Sequence, residues 1–246
     1  MFIHPAFADE KNSNDMDIGR LSYEQVLEPF LCQNCLMSCR TVEAPFCPVC
    51  GMPDKQGKKT VCENCRSFPR YFSKCRSFGF YEGSLQNMLH RYKYHRKTFL
   101  ARPLGLLLFS VFARYWNPEE SILLMPVPLH KNKFRKRGFN QSWLMLRDWP
   151  DLARKYFFPS LQPDRGNLIR IRETKSQTHM PREMRLRNVR GAFSVRWPEK
   201  VRGKKILLAD DVFTTGATAN ECAKVLIQAG AAQVDVISFA RPLLYP

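Results

Sequence analysis

Runs and spacings of apolar residues divide this chain into alternating strands and helices. Ile206 to Ala209 is a short apolar run after two lysines, the length of a strand buried on both faces of a parallel sheet. The pattern then predicts a helix from Ala219 to Ala229, stopped by Gly230, and a further strand from Val234 to Phe239. Upstream, RSFGFYEG from Arg76 to Gly83 is aromatic and strand-like. It leads into a helix-like basic segment reaching Trp116, in which Leu85, Met88, Leu89 and Tyr92 recur at helical spacing. Leu104 to Ala113, bounded by Arg102 and Arg114, reads as a buried helix, because crossing a bilayer takes about 20 helical residues. Ser121 to Pro128 is an apolar strand running into a proline-stiffened turn, and a helical pattern resumes after Phe139. Residues 149 to 167, rich in Pro, Phe and Asp, read as a variable connection. The first 20 or so residues lack periodicity and are expected to form a poorly ordered leader.

Charge narrows the partners. Lys and Arg number 39 against 22 Asp and Glu, a formal +17 over 246 residues, which attracts polyanions through the summed field. Nucleic acid, polyphosphate and phosphorylated substrates are all admitted. The N-terminal stretch carries acidic residues and no sustained apolar core, so no secretory signal is expected and the chain is placed in the cytoplasm without membrane insertion.

Eight of the nine cysteines lie between Cys32 and Cys75, six of them in CxxC pairs: Cys32 with Cys35, Cys47 with Cys50, and Cys62 with Cys65. Two such knuckles offer four thiolates in the tetrahedral arrangement that structural zinc prefers. In CPVCG, Gly51 can take the positive φ needed under a metal and Pro48 stiffens the approach, so Cys47, Cys50, Cys62 and Cys65 are the first choice of ligands. Cys32 and Cys35 could complete a second site with Cys39 or Cys75, or replace one of the other pairs. Disulfides or free thiols are the plain alternative. A thioredoxin-like role lacks the βαβ setting it needs.

The densest chemistry is in KKILLADDVFTTGATA, Lys204 to Ala219. Asp210 and Asp211 stand at the C-terminal end of a predicted strand, where open α/β sheets bind ligands. Thr214, Thr215, Gly216, Ala217 and Thr218 then form a turn of small residues before a helix: a phosphate cradle of hydroxyls, main-chain N–H groups and a helix N-terminus. The two carboxylates suit ribose hydroxyls, with or without magnesium, whereas capping of an ordinary turn would need fewer such residues. ADDVFTTGATA resembles the signature of type I phosphoribosyltransferases, which bind phosphoribosyl pyrophosphate. The resemblance implies that Asp210 and Asp211 are the catalytic carboxylates holding the ribose hydroxyls and that Thr214 to Thr218 hold the 5′-phosphate.

Two basic stretches remain. His90, Arg91, Lys93, His95, Arg96 and Lys97 crowd the helix around Tyr92 and Tyr94, either as a face for nucleic acid or as a solvated surface. Lys131, Lys133, Arg135, Lys136 and Arg137 form the second, and are the candidate nucleic-acid contacts. With their flanks they read PVPLHKNKFRKRGFNQ, which resembles the ComF family, whose members join a zinc module to a phosphoribosyltransferase domain. The likeness continues in TKSQTHMPREMRLRNVRGAF at Thr174, Gln177, Arg185, Asn188, Ala192 and Phe193. It implies a pyrophosphate-side loop at Pro126, Val127, Pro128 and Leu129 and a mobile basic flap between Arg172 and Arg190. Two departures stand out: three CxxC pairs where longer relatives often have four, and His179 where a small residue is common.

The resulting expectation is a leader at 1–30, a Cys-rich zinc module at 31–76 and a type I phosphoribosyltransferase-like parallel sheet flanked by helices at 77–246. Family likeness implies phosphoribosyl pyrophosphate with magnesium, structural zinc, and a role in DNA uptake during natural transformation, with competence-machinery proteins as possible partners. Alternatives are a single-stranded DNA-binding protein with a regulatory or vestigial transferase site, a nucleobase salvage enzyme, and a cysteine module that docks another protein.

Overall fold

The computed structural model describes residues 18–54, 60–117, 121–158, 161–174 and 180–243. Helices α1 (Tyr23–Leu27), α2 (Gln33–Met37) and α3 (Glu63–Ser67) belong to the N-terminal third. They are followed by β1 (Cys75–Phe80), α4 (Gly83–Tyr94), α5 (Ala101–Tyr115), β2 (Ile122–Pro126), α6 (Lys131–Arg137), α7 (Gln141–Leu146) and α8 (Trp149–Lys155). The remainder comprises β3 (Leu161–Pro163), β4 (Leu168–Arg170), α9 (Arg182–Val189), β5 (Phe193–Val195), β6 (Lys205–Val212), α10 (Ala217–Gln228) and β7 (Gln233–Arg241).

Five strands make one sheet in the order β1-β7-β6-β2-β3, every neighbour parallel. Strand β6 is central and buried on both faces, as the unbroken apolar run requires. Its side chains alternate between two cores. Leu207 and Ala209 join Ile237 and Phe239 of β7 under α4, α5 and α7, whereas Ile206 and Leu208 join Val234 and Val236 under α10 and the cysteine segment. This is the helix-flanked parallel sheet that the pattern specified.

The basic segment read as continuously helix-like is two helices. Arg96 takes a φ of 53°, and Pro103 fits the first turn of α5, where its missing N–H is not needed, but could not lie within one long helix. Gly105 marks where α5 meets α7: a Cβ there would lie 2.2 Å from the Met145 carbonyl oxygen.

The boundaries at both ends of the N-terminal third need correction. Residues 18–30, assigned to the leader, are part of the fold: Ile18, Val26 and Leu27 are buried in the α5 core, and Arg114 Nε donates to the Gly19 carbonyl at 2.9 Å. The rest of that leader lies outside the described residues. The cysteine segment does not stand apart from the sheet either. Cys47, Cys50 and Cys75 share one buried cluster with Met125, Leu208 and Val236, and Cys75 is the first residue of β1. The stretch read as a variable connection contains α8 and the edge strand β3, with Trp149 fully buried and its indole N–H donating to the Gly105 carbonyl at 3.0 Å.

Candidate functional site

Strand β6 runs on to Val212, so Asp210 and Asp211 lie in its last turn of pleat and not after it. Consecutive residues on a strand point to opposite faces. Asp211 continues the Leu207 and Ala209 series toward α4, where Lys93 Nζ meets its Oδ2 at 2.8 Å with both side chains largely buried. Asp210 continues the other series; its Oδ1 accepts from the Asp211 N–H at 2.9 Å and from Ser142 Oγ at 3.3 Å. Burial, then the neighbouring Asp211 charge, pushes the Asp210 carboxyl up to about 7, with Lys93 acting against them. Burial alone would lower Lys93, but the charge of Asp211 and the hydrogen bond to it hold that amine above its ordinary value.

Beyond the strand, Phe213 to Gly216 turn the chain into α10. Gly216 has a φ of 77° and sits where a Cβ would come within 2.6 Å of the Phe213 ring, so no other residue fits this corner without displacing it. Thr215 Oγ1 accepts from the Ala217 N–H at 3.4 Å, and the first turn of the 12-residue α10 opens onto the loop with N–H groups that have no carbonyl one turn earlier. From the cysteine segment, Arg70 Nη1 donates to the Thr215 carbonyl at 3.2 Å. The Tyr71 N–H donates to Asn220 Oδ1 at 2.8 Å, and Phe72 packs edge-on against Phe213.

Pro126 to Leu129 lie alongside. Pro126 pairs with Ala209 in register, and the Val127 N–H donates to the Ala209 carbonyl at 2.8 Å. Asn140, from the RGFNQ stretch, caps α7 by accepting from the N–H groups of Ser142 and Trp143, and its Nδ2 donates to the Val127 carbonyl at 3.1 Å. Two motifs separated in sequence are thereby one structure, and the same cap delivers Ser142 to Asp210.

The five cations of 131–137 do not act as one group. They form α6, and its 3.6-residue turn sends Lys131, Arg135 and Lys136 to solvent with Phe134, while Lys133 and Arg137 are half-buried. Burial, and then the charges of Arg170 and Arg137, lower the Lys133 amine. Burial lowers the Arg170 guanidinium on β4, with the charges of Cys222 and then Asp210 acting against it, and Arg170 donates to Thr174 Oγ1. In the expected flap, Arg185 Nε donates to the Met180 carbonyl at 2.9 Å, whereas Gln177 and His179 lie outside the described residues.

Cys47, Cys50, Cys62 and Cys65 come together with all four sulfurs within 4.8 Å of one another. Tetrahedral zinc with bonds of about 2.3 Å sets sulfurs about 3.8 Å apart, so the donor set fits a soft ion such as zinc. Cys47 Sγ accepts from the N–H groups of Cys50 and Cys62. Hydrogen bonds from the Cys50 and Cys65 thiols, helped by those N–H groups, draw the Cys47 thiol far below its ordinary value. Cys32 and Cys35 are not brought to this cluster. Cys32 is exposed at the start of α2, and buried Cys39 turns its thiol to the Cys35 carbonyl at 3.4 Å. Fully buried Cys75 begins β1 outside the four.

Lys93, Ser142, Arg70 and Arg170 were absent from the sequence-derived site. Lys93 had a visible signal: it is four residues after Leu89 and eight after Leu85, on the apolar face of α4. Ser142 follows RGFNQ directly. Nothing local marks Arg70 or Arg170.

Known proteins resemble this chain over most of its length. The DNA utilization protein YhgH of Escherichia coli K12 is 31% identical over 216 residues, covering 87% of this chain and 91% of that protein. The chain belongs to the ComF family. Competence protein F of Haemophilus influenzae matches the ComF-family chain at 27% over 219 residues (86% and 90% covered), and competence protein ComFC of Bacillus subtilis at 28% over 215 residues (85% and 82%). No family model matches. Among solved structures, the phosphoribosylpyrophosphate synthetase of Mycobacterium smegmatis shares 16% identity at a TM-score of 0.34. It covers 59% of the ComF-family chain, which spans 35% of the synthetase. A hypoxanthine phosphoribosyltransferase of Staphylococcus aureus shares 13% at 0.30, with 57% and 60% covered.

Proposed function

We propose that this ComF-family protein binds phosphoribosyl pyrophosphate at the C-terminal edge of its sheet and works in DNA uptake. One observation carries the reading: the acidic pair of β6, the Thr214 to Thr218 loop on the α10 N-terminus and the Pro126 to Leu129 loop converge on one edge. The 5′-phosphate takes the N–H groups and hydroxyls of the small-residue loop. Ribose hydroxyls take Asp210 and Asp211, and the pyrophosphate lies toward Pro126 to Leu129. Transfer, where it occurs, forms a bond from a nucleophilic atom of the acceptor to the anomeric carbon as the carbon–oxygen bond to pyrophosphate breaks, and Lys133, Arg137 and Arg170 offset the charge that develops on the leaving pyrophosphate. Magnesium, when bound with the pyrophosphate, would supply charge neutralisation at that end of the ligand. The four thiolates of Cys47, Cys50, Cys62 and Cys65 hold structural zinc and fix the segment that carries Arg70 and Phe72. The names of the relatives support a setting in DNA utilization and competence; a cytoplasmic location and competence-machinery partners are part of the same proposal. Among the described residues no helix is long and apolar enough to cross a membrane.

Calorimetric titration with phosphoribosyl pyrophosphate tests this reading. Saturable binding that Asp210→Asn with Asp211→Asn abolishes is expected; no binding by the folded protein would remove it.

A second reading is favoured by one feature, the exposed face of α6 with Lys131, Arg135, Lys136 and the aromatic Phe134. Single-stranded DNA binds there through phosphate contacts and stacking. Replacing those three cations with Gln should reduce the slope of log affinity against log salt by about 2, at about 0.7 per phosphate. An unchanged slope would assign DNA binding elsewhere.

A further inference from the structure

The acidic pair already has a cation, and that cation is part of the chain. Lys93 Nζ lies 2.8 Å from Asp211 Oδ2, with the two side chains 13% and 7% exposed. It is held there. Leu85, Met88, Leu89 and Tyr92 bury one face of α4, and the Tyr92 hydroxyl donates to the Gln141 carbonyl at 2.7 Å, next to the serine that bonds Asp210. The helix that bears Lys93 is thereby pinned to the helix that bears Ser142, and the amine has little freedom to withdraw.

Each carboxylate also has a partner of its own: Asp211 Oδ2 faces Lys93 Nζ, and Asp210 Oδ1 accepts from Ser142 Oγ and the Asp211 N–H. Magnesium needs near-octahedral oxygens at about 2.0–2.1 Å and sheds its water reluctantly. A divalent ion on Asp211 would displace a buried ammonium or lie against it. An ammonium, by contrast, has three N–H donors, and with one on Asp211 the others can meet hydroxyl oxygens.

We propose that Lys93 is the resident counter-ion of the acidic pair, so that the pair accepts ribose hydroxyls with no divalent ion bound to it. Any divalent requirement then belongs to the pyrophosphate end alone. This rests on the sugar-phosphate reading for its ligand, but the metal half stands by itself. Asp211 and Lys93 together form a neutral ion pair beside Asp210: the two aspartates accept from the ribose O–H groups while Lys93 donates to the ribose oxygens.

Manganese alone, followed by the paramagnetic relaxation of water protons in zinc-loaded protein, tests the metal half. The wild type and Asp211→Asn should bind manganese alike, because Asp211 is not available to it. Lys93→Met, which keeps the length of the stem, should gain one site that Lys93→Met with Asp211→Asn loses again. A manganese site in the wild type that Asp211→Asn removes would overturn the proposal. So would a well-folded Lys93→Met variant that gains none.

Ribose 5-phosphate, which lacks pyrophosphate, tests the ligand half by calorimetry. The wild type should bind it equally with and without added magnesium. Lys93→Met should bind it at least tenfold more weakly without magnesium and recover part of the loss with it. Tenfold tightening of the wild type by magnesium would overturn the proposal without any variant, which covers the case where Lys93→Met does not fold. Failure of the wild type to bind ribose 5-phosphate at all would instead remove the sugar-phosphate reading, with the manganese result still deciding the role of Lys93.

Discussion

Asp210 is a residue whose environment works against its charge. Burial and the adjacent Asp211 raise its carboxyl to about 7, well above an unfolded aspartate near 4. Between those values the folded state binds the proton and the unfolded state does not. The contribution to stability is therefore fully present below about pH 4 and falls away as pH rises through about 7. Asp210→Asn should remove that decline. Thermal melts at pH 8 should find the variant more stable than the wild type by at least about 1 kcal/mol, with the gap closing toward pH 4. A constant gap across that range would mean that Asp210 is not held protonated. The sequence marked this residue because two adjacent acids stand at the C-terminal end of a buried strand, where open α/β sheets bind ligands. Its partners were hidden, since Lys93 lies more than a hundred residues away and only its helical phase hinted at burial.

At the scale of elements, what was legible was what is local. The strand, loop and helix around Gly216 follow from a contiguous pattern, and so does the four-thiol cluster. Composition misled where it hid an element: Pro150 lies in the first turn of α8, where proline starts a helix and does not break one, so residues 149–167 looked irregular. The basic run of α6 was likewise read as one surface, because only a helix in place divides it between an exposed and a half-buried side. The link between the loop at Val127 and α7 depends on Asn140, which caps the helix and binds the loop at once. Asn140→Ala should cost about 1–2 kcal/mol in urea unfolding, the usual loss for a cap, and should also weaken phosphoribosyl pyrophosphate binding. If Asn140→Asp restored stability but not binding, the donor to Val127 would be identified as the functional half.

For the whole molecule, the chain reads as a cysteine segment followed by an α/β domain, but the two share a core. Arg241, at the end of β7 and almost fully buried, lies over the Phe213 ring, and its guanidinium donates to the Cys50 carbonyl at 2.5 Å. Long-range pairings of this kind are not visible in spacing or composition. Calorimetric unfolding of zinc-loaded protein should therefore show one transition. Stripping zinc, or replacing Cys62 and Cys65 with Ser, should lower that single transition and weaken phosphoribosyl pyrophosphate binding together, through Arg70 and Phe72. Two separate transitions, with the second unmoved by zinc, would contradict a shared core.

The sheet ends in β1 on one side and in the three-residue β3, which contains Pro163, on the other. The β1 edge is covered by the segment between the first and second cysteine pairs: Thr41 bridges Gly79, the Val42 N–H donates to the Phe78 carbonyl, and the Phe80 N–H donates to the Arg40 carbonyl. An uncovered strand edge is a template for pairing with other chains. An α/β fragment cut free at residue 75 should accordingly self-associate, its naked first strand recruiting copies of itself, while the full chain stays dispersed in light scattering. Whatever else the cysteine segment does, it keeps an otherwise adhesive sheet solitary.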